Sequence, residues 1–146
     1  MPDMDVMARI AAAVELGHAG AVEEARQQLV ALWAEPVVQA DPFHRCALAH
    51  HAADLEPEVA DELRWDVRAL AAADEVARER DTPTDVAAFY PSLHLNLGDA
   101  YRRAEDLPAA REHLARARSC IDVLPDDGYG RLIRGGIDRL AERLGA

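Results

Sequence analysis

The chain has 146 residues, 16 basic against 27 acidic side chains, a net charge of −11 and a half-hydrophobic composition, which suits one modest globular domain over 1–146 better than two. All 16 basic residues are arginine, so a Schiff-base lysine, a pyridoxal phosphate anchor and a P-loop lysine are excluded from it. The acidic balance works against nucleic acid and anionic lipid. No stretch approaches the roughly 20 apolar residues of a membrane span, and the start, Met1-Pro-Asp-Met-Asp5, lacks the regions of a signal peptide. A cytoplasmic protein with neither a nucleic-acid nor a membrane partner is expected.

The apolar spacing is close to 3.6 almost throughout, with no alternating Val/Ile/Thr run, so the chain is expected to be all-α with about seven helices. The first is expected from near Met4 to Gly17 and the second from about Ala21 to Ala34, with Gly17-His-Ala-Gly20 as the turn between them. Asp41-Pro42 reads as an N-cap and first helical proline of a helix reaching about Asp54. A long helix from Pro57 to about Arg80, apolar on more than one side through Leu63, Trp65, Val67, Leu70 and Val76, is expected to be central. Thr82-Pro83-Thr84-Asp85 resembles a helix start capped by Thr82, and Pro91 either kinks that helix or opens another. The sixth helix follows Asp106, and the last spans about Tyr129 to Leu144, ahead of Gly145. Gly135-Gly136 inside this last helix points to close packing, expected against the sixth helix.

From Pro91 to Asp122 the chain carries Leu97-Gly98, Tyr101, Ala110, Leu114 and Ala117. Those types at those offsets resemble the tetratricopeptide repeat, a helical hairpin of about 34 residues. His94 stands where that family usually has tryptophan, and Asp122 where it often has proline. The first hairpin fits through Ala12-Ala13, Leu16, Ala25, Leu29 and Leu32, with Arg9 at the large aromatic position, and the middle pair fits worst. The resemblance implies a right-handed array of αα-hairpins over about 4–34, 41–80 and 83–122, closed by a capping helix over about 128–144. It also implies a concave groove for a protein or peptide partner, presenting Ser92, Leu95, Asn96, Asp99, Arg102 and Arg103. The lysine and asparagine clamp that some family members use for a C-terminal carboxylate is not matched, since Ile10 and Val14 occupy its positions in the first hairpin. Asp99 is expected to repel an acidic tail.

His44-Arg-Cys46-Ala-Leu-Ala-His50-His51, continuing to Asp54, is the densest run of chemistry. Cys46, His50 and Asp54 follow at four-residue steps on a helix, a spacing that offers metal ligands, although a buried thiol with one bonded and one solvated histidine explains the same residues. Cys46 and Cys120 read as buried small hydrophobes. Trp65, Tyr90 and His94 with His44 or His51 are candidates for a small-ligand pocket, or else core residues. No nucleophile turn or Ser-His-Asp order is present, so catalysis is not expected and no cofactor is implied. The leading expectation is a non-enzymatic interaction module with a neutral or basic partner, able also to form a homodimer. The rival is a small-ligand or metal pocket, open also to catalysis, on His44, His50, His51, Trp65 and His94.

Overall fold

The computed structural model describes residues 5–79 and 84–146, the side chains at 84 and 85 excepted, and every element among them is helical. The expected Thr82 cap, the start at Met4 and the helix end at Arg80 lie outside the described residues. The helices are α1 (Val6–His18), α2 (Val22–Trp33), the single turn α3 (Pro36–Gln39), α4 (Pro42–Ala53), α5 (Val59–Glu79), the single turn α6 (Thr84–Ala87), α7 (Tyr90–Arg103), α8 (Leu107–Ser119) and α9 (Gly128–Leu144). Ile121–Val123 forms a 3₁₀ turn between α8 and α9. Among the described residues no helix is long and apolar enough to cross a membrane.

Helix ends follow local chemistry. The Asp41 carboxylate accepts from the Phe43 amide, Asp106 from Ala109 and Asp127 from Gly130, which satisfies amide groups that have no partner within their helices. Gly145 closes α9 in the left-handed conformation, φ 66°. Pro91 is the second residue of α7 and follows a separate turn of helix, so it opens a helix and kinks none. Pro36 likewise starts the single turn α3.

The chain falls into two compact units, Met1–Val76 and Ala77–Ala146. In the first, α1 and α2 pair as a hairpin and α4 lies against α1, α2 and α3. Ile10, Leu29, Val38 and Leu48 are fully buried among small contacts at Ala13, Ala25 and Ala49. The ring of Trp65 meets Trp33 edge-on, 5.1 Å between centroids. Val67, expected on an apolar face of α5, is instead exposed, while Asp66 beside it is buried.

In the second unit α7 and α8 form a hairpin, and α9 packs against both. Gly98 is the pivot. A Cβ there would lie 3.4 Å from the Ala110 carbonyl oxygen and 3.6 Å from the Leu114 amide on α8, and 2.7 Å from Leu140 on α9. The hairpin closes through Glu105, which holds a left-handed φ of 65°. Gly136 does pack closely, but against Leu95 of α7, 2.7 Å from where its Cβ would be, and not against α8 as expected from sequence. The core joins Ala110, Leu114 and Ala117 of α8 to Ile133, Ile137, Leu140 and Leu144 of α9.

The turn into α9 gives a sharp test. A Cβ at Gly130 would sit 1.8 Å from the Pro125 carbonyl oxygen, whereas at Gly128 nothing lies within 4 Å. Gly130→Ala should cost about 1–3 kcal/mol in urea unfolding through forced backbone movement, and Gly128→Ala should change stability by less than about 0.5 kcal/mol.

Candidate functional site

The face of α7 carrying Leu95, Asn96 and Asp99 opens with Gly136, Arg139, Leu140 and Arg143 of α9 onto one cleft of about 220 Å³. The spacings are helical neighbours on both sides, and the missing side chains at Gly98 and Gly136 let Leu140 and Leu95 close the floor. Three of the six expected groove residues therefore line a real cleft. Of the others, Arg102 and Arg103 sit at its edge through Asp99. Ser92 does not contribute to its wall: it is buried, and its hydroxyl donates to the Phe89 carbonyl.

Asp99 is the charge centre of the cleft. Its Oδ1 accepts from Arg102 at 2.9 and 3.2 Å, its Oδ2 accepts from Arg103 at 2.9 Å, and the Arg143 guanidinium stands 3.9 Å away. Burial pushes the Asp99 carboxyl up, but the hydrogen bonds and charges of Arg102 and Arg103 outweigh it and hold the group below the ordinary carboxylate value. Asp99 thus keeps its negative charge and shares it with two guanidinium groups. The residues that line the cleft or pair with its carboxylate carry four guanidinium groups, Arg102, Arg103, Arg139 and Arg143, against one carboxylate, a local charge of +3 in a chain of net charge −11. Arg139 and Arg143 are not among the expected groove residues, because the last helix is expected only to cap the array. The signal was their i, i+4 spacing in step with Gly136 and Leu140 on one face of α9.

Of the residues expected in an aromatic and histidine pocket, His44, His51 and Trp65 belong to the first unit and Tyr90 and His94 to the second. In the second, the rings of Tyr90, His94, His113 and Tyr101 stack in that order, at centroid separations of 6.1, 5.2 and 5.5 Å. His94 is buried, and its Nδ1 lies 3.0 Å from Nδ1 of His113. One imidazole must donate there and the other accept, so the pair requires opposite tautomers. His113 went unnoticed in the sequence because only the α7–α8 hairpin brings it to His94.

In the first unit His44 lies 3.5 Å from the Asp41 carboxylate, and the Arg68 guanidinium covers Trp65 and Trp33 at 4.7 and 5.6 Å. Neither His44 nor Trp65 lines the cavity that His51 enters, which it shares with Val14, Gly17, His18, Val22, Asp54 and Leu55. Burial lowers both His50 and His51 from the ordinary histidine value. The metal candidates separate: Cys46 is wholly buried, its thiol pushed up to about 12 by burial and then by the charge of Asp74, while Asp54 is exposed. Among the described residues no group of three or more His, Cys, Asp or Glu is placed to hold a metal ion. Cys120, expected to be buried, is half-buried, and its thiol donates to the Arg116 carbonyl.

No protein-family model, curated protein or solved structure matches the chain.

Burial lowers His113, with Glu112 opposing that shift and Arg116 adding to it. A histidine whose folded value lies below its unfolded value of about 6.5 gives stability that is complete above that pH and is lost as pH falls through it. Thermal midpoints of the protein should therefore drop between about pH 7.5 and 5.5. His113→Phe, which keeps a ring in the stack but cannot titrate, should show a smaller drop; an unchanged drop would remove the histidine pair as a cause.

Proposed function

We propose that the chain is a non-enzymatic protein- or peptide-interaction module, built of tetratricopeptide-like helical repeats in a right-handed array, with its partner groove at the cleft between α7 and α9. The repeat assignment is supported by Gly98, Ala110, Leu114 and Ala117, all buried where the hairpin and α9 meet. One observation carries the functional reading: Leu95, Asn96 and Asp99 of α7 open on the same cleft as Arg139 and Arg143 of α9.

Local charge sets the partner. Asp99 is already occupied by Arg102 and Arg103, and Arg139 makes no ion pair among the described residues, its guanidinium lying 3.2 Å from where a Cβ on Gly135 would be. An incoming carboxylate meets guanidinium groups that can bind it through two parallel hydrogen bonds. The net charge of −11 favours a neutral or basic partner over the whole surface, but the lining of the cleft itself carries two guanidinium groups, Arg139 and Arg143, against the single paired carboxylate of Asp99. The segment recognised is thus an acidic peptide with an apolar side chain for Leu95 and Leu140.

Fluorescence polarisation with two labelled hexapeptides, one rich in Glu and Leu and one rich in Arg and Leu, tests this. The acidic peptide should bind, and Arg139→Glu with Arg143→Glu should weaken it at least tenfold, since each charge-assisted bond contributes about 1.5–3 kcal/mol. Equal binding of the two peptides, or indifference to the double substitution, would contradict the assignment.

A further inference from the structure

The cavity of about 350 Å³ in the first unit lies where α1 ends, α2 begins and α4 ends. Its aliphatic wall is Val14, Val22 and Leu55, and its polar groups are the imidazoles of His18 and His51 and the carboxylate of Asp54. That size is within the range of small-molecule sites, as is the pattern of an apolar wall with a few polar groups. We infer that this cavity binds a small organic amine, its ammonium on the Asp54 carboxylate and its hydrocarbon body against Val14, Val22 and Leu55.

What sets Asp54 apart is that its charge is not consumed by the chain. The neighbouring cleft between α1 and α2 is closed by Arg9 and Glu35, paired to each other through two hydrogen bonds, and the cleft of the second unit has Asp99 held by Arg102 and Arg103. Among the described residues no ion pair or hydrogen bond engages the Asp54 carboxylate, and no arginine lines its cavity. The titratable groups nearest to it are the imidazoles of His50 and His51, with His18 facing from α1.

Two helices, α1 and α4, present their carboxyl ends there, each with partial negative charge from carbonyls left without an intrahelical partner, against the single amino end of α2. Burial keeps the His51 imidazole neutral near pH 7, where it offers a lone pair and no opposing charge. A cation with a hydrocarbon body satisfies both halves of the cavity, whereas an anion meets the carboxylate and a purely apolar molecule leaves it unused. Gly17 keeps the floor narrow, since a Cβ there would lie 3.0 Å from Leu55.

The test is a methyl-resolved NMR titration of the whole protein at about pH 7.5, above the ordinary histidine value, with phenethylamine as probe and phenethyl alcohol as its neutral counterpart. The amine should shift the Val14, Val22 and Leu55 methyl signals saturably, and the alcohol should bind at least tenfold more weakly. Asp54→Asn, a substitution at an exposed helix end that keeps the shape, should reduce amine affinity at least tenfold while leaving the thermal midpoint in place. Equal binding of amine and alcohol, no saturable shift, or an unchanged affinity in Asp54→Asn would overturn the proposal. A titration with zinc alone that saturates the His18 and His51 ring signals, without any response to the amine, would also overturn it and make the cavity a metal site.

Discussion

Two helices approach closely only where side chains are missing, and α7 and α9 do so twice in opposite senses. Leu140 of α9 fills the space above Gly98, and Leu95 of α7 fills the space above Gly136. This reciprocal seating fixes both the rotation and the axial position of α9, because moving either helix by one turn would put a side chain where a leucine now lies. The same rotation that buries Ile133, Ile137 and Leu144 turns Arg139 and Arg143 towards Asp99. Gly98 also sets the distance to α8, so the hairpin, the core and the cleft wall all depend on one absent Cβ.

Electrostatics in this chain is decided locally. The chain, whose basic residues apart from histidine are all arginine, joins elements distant in sequence by guanidinium–carboxylate contacts: Arg9 to Glu35 through two hydrogen bonds, Arg26 to Glu56 through one at 2.6 Å and Arg45 to Glu75 through one at 2.9 Å. Ion pairs open to solvent contribute about 0–1 kcal/mol each, so the partly exposed Arg9–Glu35 and Arg45–Glu75 contacts fix geometry more than they stabilise, whereas Arg26 partners a Glu56 side chain that is only 4% exposed. Their second effect is to remove charge from the surface. Asp99 and Glu35 are neutralised at their clefts while Asp54 is not, and that contrast distinguishes a cleft suited to anions from a cavity suited to a cation.

The helical character and most helix limits were legible because they are local. Asp41-Pro42, Asp106 and Gly145 act within a turn of where they stand, and the Asp41 cap forms through the expected carboxylate, as does one at Asp106, ahead of the expected sixth helix. The close approach at Gly98 was legible too, since a glycine amid helical apolar spacing has few other uses. The outer side of Val67, the partner of Gly136 and the contact of His94 with His113 were not, because each depends on how helices rotate about their axes, and a half-apolar composition rich in alanine leaves that rotation weakly marked. The candidate site was read by half: Leu95, Asn96 and Asp99 follow from the face of one helix, but Arg139 and Arg143 require knowing that α9 crosses that face.

The reciprocal seating is open to direct observation by nuclear Overhauser spectroscopy on methyl-labelled protein. Strong cross-peaks are predicted from the Leu140 methyls to the Gly98 α-protons and from the Leu95 methyls to those of Gly136. Absence of both, with the Leu140 methyls seeing only α8, would place α9 in a different rotation and contradict the account of the cleft.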